Sequence, residues 1–347
     1  MVKSRNIRFA VVGCGHIGKR HIEMILRNPE SELVAVCDIA DGQQLGIDKY
    51  NVPIFTSIDT LLMSKIDLEV ICICTPNGMH ANQCLKALSF GKDVVCEKPM
   101  ALTKADCEAV IFKSLQMSKN VFCVMQNRYS PPSAWIKDVI NKEILGQIFM
   151  VQINCYWNRD DRYYTRKNWK GNQELDGGTL FTQFSHFIDI MYWLFGDVTA
   201  IQAQFADFNH KHSTDFEDSG QVSFRFINGG MGCINYSTSV WDQNLESSMT
   251  IVAENGSVKI GGQYMNEVEV CSISGYSMPE LPPSSPANDY GAYKGSAANH
   301  HFIIENVVDT LKGRTSMTTN ALEGLKVVDI IERIYSHRPA DLLAKHN

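Results

Sequence analysis

Lys98 is the residue whose chemistry organises this sequence. In Gly91 to Pro99, GKDVVCEKP, a short apolar run over Asp93 to Cys96 ends in Glu97, Lys98 and Pro99. The run predicts a buried strand, and open α/β sheets bind their ligands at the carboxyl ends of such strands. Proline fixes its own φ and keeps the preceding residue out of the helical region, so the backbone sets where the ammonium stands. Desolvation and neighbouring positive charge can bring a lysine toward neutral pKa, where it can take the proton of an alcohol. Glu97 would oppose this if it paired directly with Lys98, so it is expected to point elsewhere. Taken alone, the stretch reads more simply as a strand ending in a solvated ion pair.

The residues upstream change that balance. Arg8 to Val12 is an apolar run of strand length, followed by GCGHIG and a helical pattern through Met24, Ile25 and Leu26. Gly13, Gly15 and Gly18 therefore form GxGxxG between a strand and a helix. The first glycine permits the tight turn, the second lets the backbone approach a pyrophosphate, and the third lets helix pack on strand. A second strand, Leu33 to Cys37, ends at Asp38. A carboxylate there accepts hydrogen bonds from both ribose hydroxyls and repels a 2′-phosphate, which favours NAD over NADP. Leu68 to Cys74 is a further strand, closing at Thr75, Pro76 and Asn77 before a helix over Met79 to Leu88. That turn shares the sheet edge with the glycines and could line the nicotinamide side. For Asn77 and His80, a plain strand-to-helix turn explains the residues equally well.

The elements that must position these groups follow from the alternation. The Lys98 strand, a helix opened by a Thr103/Asp106 capping box, and a strand over Asn120 to Met125 complete a βα series. Alternating strands and helices mean a parallel sheet with right-handed crossovers. After Gln126, Asn127 and Arg128 the pattern changes. A helix over Ser133 to Asn141 precedes strand-like runs at Ile148 to Trp157, Ala200 to Ala206, Gly220 to Ile227, Met231 to Ser239, Ser248 to Ala253, Ser257 to Ile260 and Glu267 to Ser272. Asn228-Gly229 and Asn255-Gly256 signal hairpins, so this half predicts a mainly antiparallel sheet. Between the strands, Arg159 to Gly178 suits a loop over a polar ligand, with Arg159, Arg162, Arg166 and Lys167 as forks or point charges for a pyrophosphate or carboxylate. Each could equally be a solvated loop cation. Thr179 to Phe195 reads as one continuous helix carrying Gln183, His186 and Asp189, and Asn299 to Leu311 and Asn320 to Tyr335 read as the last two helices. A His on such an apolar helix is by itself more often a packed core residue.

Composition removes several alternatives. At 347 residues with 44% hydrophobic and 20% charged residues, the chain can bury two cores. The net charge of −6 argues against nucleic-acid or anionic-membrane partners. No apolar run is long enough to span a bilayer, and the start leads into a strand rather than a signal peptide. Eleven cysteines without a CxxC pair fit reduced, buried thiols and a cytoplasmic location, and the ten scattered histidines complete no zinc spacing, so no metal is expected.

Together, GCGHIG, Asp38, CTPNGMH, GKDVVCEKP and GGTLFTQFSHFID, in that order, resemble the Gfo/Idh/MocA family of NAD(P)-dependent sugar and inositol dehydrogenases over essentially the whole chain. The resemblance implies an α/β Rossmann domain over residues 1–127 and an α+β domain with an open, mainly antiparallel sheet over 128–318. It also implies a C-terminal helix, 319–347, returning to the Rossmann side, and a homo-oligomer, dimer or tetramer. It makes Lys98 the catalytic lysine, held by Glu97 and Pro99, with His186 near the reacting hydroxyl. The implied cofactor set is Gly13, Gly15, His16, Ile17, Gly18, Asp38, Thr75, Pro76, Asn77, His80, Glu97, Lys98 and Gln126. Many members carry an aspartate four residues before the histidine; here that position is Thr182. Members that oxidise UDP-linked sugar acids tend to have a neutral residue there and a segment like NWKG, Asn168 to Gly171. The substrate implied is a UDP-linked, N-acetylated uronic acid oxidised at C3 for O-antigen sugars, met by Arg159, Arg166, Trp169, Lys170, Thr182, Gln183 and His186. The alternatives are a free-sugar or inositol dehydrogenase of the same family, or a dinucleotide-binding regulator that has lost catalysis.

Overall fold

The computed structural model describes residues 5–165, 169–291 and 293–339. They fall into two compact units, one built from residues up to 125 with 300–328, the other from 126–299 with 329 onward. In the first unit the chain runs β1 (Ile7–Val12), α1 (His16–Arg27), β2 (Ser31–Cys37), α2 (Gly42–Leu45), β3 (Ile54–Phe55), α3 (Ile58–Met63), β4 (Val70–Ile73), α4 (His80–Ser89), β5 (Asp93–Cys96), α5 (Lys104–Met117) and β6 (Val121–Cys123). The six strands form one parallel sheet in the order β3-β2-β1-β4-β5-β6. β4 and β5 are buried at every residue, which is why they read as unbroken apolar runs rather than alternating ones. The strand order reverses between β1 and β4, and the crevice beyond their carboxyl ends is where such sheets take a ligand. Thr103 begins α5 as anticipated, its hydroxyl accepting from the Asp106 N–H at 3.1 Å.

The second unit contains α6 (Pro131–Asn141), β7 (Ile148–Tyr156), a π-helical turn over Leu180–Phe184, α7 (Ser185–Phe195), β8 (Val198–Ala206), β9 (Ser219–Phe226), β10 (Met231–Ser237), β11 (Glu246–Ala253), β12 (Gly256–Gly261), β13 (Glu267–Ile273), β14 (Ala287–Asp289) and β15 (Lys294–Ala297). Seven strands form a sheet in the order β13-β12-β11-β7-β10-β9-β8. Every neighbouring pair is antiparallel except β7 with β10. The two Asn-Gly turns connect β9 to β10 and β11 to β12, as their sequence demands. One face of the sheet is closed by α7, whose Phe187 meets the Trp157 ring edge-on at 5.9 Å, while Phe184 packs on Tyr236 at 5.7 Å.

The expected single helix over 179–195 is instead a π-helical turn feeding an α-helix. Leu180, Phe181, Gln183 and Phe184 are all buried there, so the hydrophobic pattern carries no face that would reveal the change of winding. The chain ends with α8 (His300–Leu311) and α9 (Ala321–Tyr335). α8 lies in the first unit, against α1, where a division at residue 318 would put it in the second. The physical reason is the buried stripe His300, Ile303, Ile304, Val307 and Val308, which covers the Rossmann side. α9 opens with a reciprocal capping box: the Glu323 N–H donates to Asn320 Oδ1 at 3.2 Å and the Asn320 N–H to Glu323 Oε2 at 3.1 Å. Its first part, through 328, belongs to the first unit.

Candidate active site

The glycine turn fits a dinucleotide. Gly13 has φ +87°, and a Cβ there would meet the Cys74 carbonyl oxygen at 2.6 Å; a Cβ on Gly18 would meet the Gly13 carbonyl oxygen at 1.8 Å. These two glycines are therefore required by the fold itself. Gly15 differs: it is exposed, and a Cβ there would meet no protein atom within 4 Å. It is the N-cap of α1 and offers no side chain to the first-turn N–H groups, which suits a pyrophosphate. His16 is exposed and Ile17 half-buried beside it. Asp38 turns back to the same loop, accepting from the Cys14 N–H at 2.6 Å and the Ala40 N–H at 2.9 Å. A carboxylate has about four acceptor positions, so capacity remains for ribose hydroxyls.

At the end of β5, Lys98 is half-buried and its peptide bond to Pro99 is cis. Glu97 is buried and its carboxylate is directed at two histidines: His21 Nε2 of α1 at 2.8 Å and His300 Nε2 of α8 at 3.6 Å. Its other oxygen accepts the Lys98 backbone N–H at 3.2 Å. Burial alone would raise the Glu97 pKa; the hydrogen bond to His21 and the nearby His300 ring outweigh it and hold the carboxyl well below its usual range. Glu97 thus anchors the Lys98 backbone.

His80 begins α4. It is 1% exposed, with Nδ1 at 2.7 Å from the Pro99 carbonyl and Nε2 at 2.8 Å from the Thr75 carbonyl. The ring spans the two loops that close the crevice. Burial lowers its pKa, against the two carbonyls and Glu97, which raise it. Thr75 donates its hydroxyl to Gln83 Oε1 at 2.7 Å, Pro76 is half-buried, and Asn77, 5% exposed, starts a turn of 3₁₀ helix.

In the second unit, Gln126 and His186 come together: Gln126 Nε2 stands 3.2 Å from His186 Nε2 and donates to Ser296 Oγ at 3.1 Å. Asp189 is a buried two-pronged partner of Arg128, at 2.6 and 2.9 Å. Arg159 is 1% exposed and lies against the rings of Trp157, Tyr163 and Tyr293 at 4.7 to 5.1 Å. Its N–H groups go to Gln183 Oε1, the Asn158 carbonyl, Asn244 Oδ1 and the Lys294 carbonyl, all neutral. Lys170 shares the cage, with Nζ 3.8 Å from the Tyr163 ring centre and 3.1 Å from the Tyr293 hydroxyl. Burial, with the Arg159 charge adding to it, brings the Lys170 pKa down to about 8. Arg162, by contrast, is a half-exposed partner of Asp160. Trp169 is half-buried; Arg166 and Lys167 lie outside the described residues.

Thr182 is itself hydrogen-bonded to a carboxylate: its hydroxyl contacts Asp176 Oδ1 and also lies 3.2 Å from the Asp176 carbonyl. Asp176 is fully buried, accepts the Gly171 N–H at 2.9 Å, and is pushed by burial up to about 6. Sequence reasoning missed Asp176, Tyr163 and Tyr293. Asp176 stands six residues from Thr182 across the glycine pair Gly177-Gly178, so helical spacing gives no hint of the contact. Tyr293 lies far along the chain from Arg159, and only the fold joins them.

Comparison with known proteins follows the same outline. Residues 7–125 match the Gfo/Idh/MocA oxidoreductase model with its NAD-binding Rossmann fold, and residues 134–259 match the family's C-terminal domain. The WlbA dehydrogenase of Bordetella pertussis, solved in complex with NADH and UDP-GlcNAcA, is 31% identical, with a TM-score of 0.83 and 96% of each chain covered. The Chromobacterium violaceum WlbA, solved with the same two ligands, is 30% identical, with a TM-score of 0.85 over 97% of this chain and 94% of that one. Inositol 2-dehydrogenase of Salmonella typhimurium is 31% identical over 196 residues, 55% of each chain, so the match spans about half of that relative. A six-stranded parallel sheet with a glycine turn, a half-buried lysine at the end of its fifth strand, and a partner sheet unit matched by its own model identify the chain as an NAD-binding oxidoreductase of the Gfo/Idh/MocA family.

Proposed function

We propose that the chain oxidises a secondary hydroxyl, C3, of a UDP-linked, N-acetylated uronic acid, producing a 3-keto sugar nucleotide. The observation that carries this reading is the cation pair Arg159 and Lys170 in one aromatic cage. The polar partners of both, among the described residues, are neutral groups, and Asp176 reaches Lys170 only through space. Two desolvated cations side by side are costly unless an anion joins them, and a uronate carboxylate or a diphosphate supplies one. Arg159 contributes its field more than its N–H groups, which the protein already uses. Lys170, partly exposed, is the group that can touch the ligand.

In this reading Lys98 takes the hydroxyl proton while the C–H hydrogen leaves as hydride. NAD, when bound, accepts that hydride. Lys98 serves as acid in the reverse direction, and Glu97 fixes the backbone from which it reaches. His186 is the second catalytic candidate, assigned by the family resemblance. The inositol-dehydrogenase relative supports a second reading, a neutral polyol or free sugar, which would leave the cation pair without a ligand role.

The test is a panel of UDP-uronic acids, free sugars and inositols, following NADH absorbance with and without 2-oxoglutarate to recycle bound cofactor. Turnover is expected with the UDP-uronic acid bearing an N-acetyl group; turnover only with inositols or free sugars would refute the proposal. Lys98→Met should lower kcat by about a hundredfold or more, while NADH binding followed by fluorescence stays within twofold of wild type.

A further inference from the structure

We propose that His21 is a positioning residue for Lys98: it draws the Glu97 carboxylate toward α1, so that Glu97 grips the Lys98 main chain rather than its ammonium. The inference rests on Lys98 as the acid/base of the reaction, as proposed above. Glu97 and Lys98 are sequence neighbours with side chains long enough to pair, and the stretch taken alone reads as that pair. In the folded chain the carboxylate is engaged elsewhere: Oε1 stands 2.8 Å from His21 Nε2, and Oε2 accepts the Lys98 N–H at 3.2 Å. An ionised carboxylate only accepts, so His21 Nε2 carries the proton of their bond. His21 is 0% exposed and Glu97 5%, so bulk water cannot take over the donor's part. His300 also faces Glu97, with Nε2 3.6 Å from Oε1, too far for a hydrogen bond, and its ring meets the His21 ring edge-on at 5.7 Å. His21 lies on the buried stripe of α1 with Gly18, Ile22 and Ile25, which aims it at the sheet. α1 thereby serves the site twice, its N-terminus toward a pyrophosphate and its second turn toward the Lys98 anchor.

The consequence concerns the charge beside the catalytic ammonium. A carboxylate released from His21 has Lys98 as its neighbour, and an opposite charge so close favours the ammonium form and raises the lysine pKa. Lys98 would then be a poorer base near neutral pH. The remaining groups around Glu97 cannot substitute for His21. Burial lowers the His300 pKa against the raising effect of Glu97, with His21 and Arg20 of α1 adding to burial. Burial likewise lowers His80 of α4. On the strands, burial raises the Cys72 and Cys74 thiols, and a hydrogen bond with Cys84 together with burial raises Cys96. These groups are neutral near pH 7, so none offers Glu97 a charge, and His21 is the side chain that hydrogen-bonds it.

The experiment pairs a direct titration of Lys98 with kinetics on the full chain. Acetylation of Lys98 by acetic anhydride, followed by peptide mass spectrometry over a pH series, reads the lysine midpoint without any substrate. Only the neutral amine reacts, and Lys98 is half-buried rather than enclosed. His21→Leu and His21→Asn both withdraw the donor, the first being apolar and the second too short, so one folded variant suffices. Each should raise the Lys98 midpoint by about one to three units. His21→Gln, whose amide nitrogen falls near the place of Nε2, should keep the midpoint near that of the wild type. Adding Glu97→Gln to whichever variant shows the rise should cancel it. The rising limb of kcat/KM against pH, with UDP-N-acetylglucosaminuronic acid and NAD, should move with the midpoint. An unmoved midpoint in a folded variant without the donor, or a rise that survives Glu97→Gln, would overturn the proposal. A raised midpoint in His21→Leu, beside a wild type that turns over no UDP-uronic acid, would leave the His21 assignment standing and remove the substrate reading instead.

Discussion

Lys170 shows how a single residue can trade stability for binding. Burial and the Arg159 charge bring its pKa down to about 8, against about 10.4 for a lysine in the unfolded chain. The unfolded state therefore binds more protons between these values, and stability rises with pH across roughly 8 to 10.4. Below pH 8 the full cost is present, at most about 3 kcal/mol, less because the side chain keeps partial contact with water. Lys170→Met keeps the stem's volume against Tyr163 and Tyr293 and removes the charge. The variant should melt higher than wild type at pH 7, show a flat profile from pH 8 to 10, and raise KM for an anionic substrate about tenfold or more. Melting curves at the two pH values check this, and a variant less stable at pH 7 would contradict it. Lys170 and Arg159 were legible as charged loop residues. The cage was not, because Tyr293 comes from the turn between β14 and β15, more than a hundred residues along the chain.

At the level of elements, local signals were the reliable ones. The capping boxes at Thr103 and Asn320, the Asn-Gly hairpins and the strand that carries Lys98 all depend on contacts within a few residues, and each forms where its sequence places it. The short pieces α2, β3 and α3 were not legible, since two to six residues carry too little periodicity. His80 lies between these cases: its place at the start of α4 was readable, but its service to two loops was not. Those loops end β4 and β5, so the ring links the Thr75 turn to the turn of Lys98. The neutral His80 ring has one N–H, so His80→Ala would remove the donor of one buried main-chain carbonyl and the packing between the two loops, at about 1–3 kcal/mol for the lost donor. Urea unfolding should show a loss of at least about 1 kcal/mol, and NADH affinity should fall as the Thr75 to Asn77 turn loses its tether. A variant with wild-type stability and affinity would show that the loops hold themselves.

For the molecule as a whole, the second sheet leaves one face uncovered by its own helices. On that face Met150 of β7 has Met231 of β10 and Val252 of β11 as direct cross-strand partners, forming an apolar row over three adjacent strands. Their exposures are 47%, 44% and 40%, high for side chains in the middle of a sheet. The sequence marked these stretches as strands. It could not predict that the three would be neighbours, because β7 pairs with strands distant in sequence, one of them parallel. We propose that a second copy of the chain covers this row, since isolated exposed hydrophobics are ordinary but a contiguous stripe on a flat sheet is an association surface. In a symmetric pair each copy's row is buried against its partner, so a charge at Met150 is buried twice over and loses apolar burial on both sides. Met150→Lys should therefore shift the mass measured by light scattering from oligomer to monomer, with the thermal melt of the Rossmann unit little changed. A wild type that is monomeric at micromolar concentration, or a lysine variant with unaltered mass, would place the interface elsewhere.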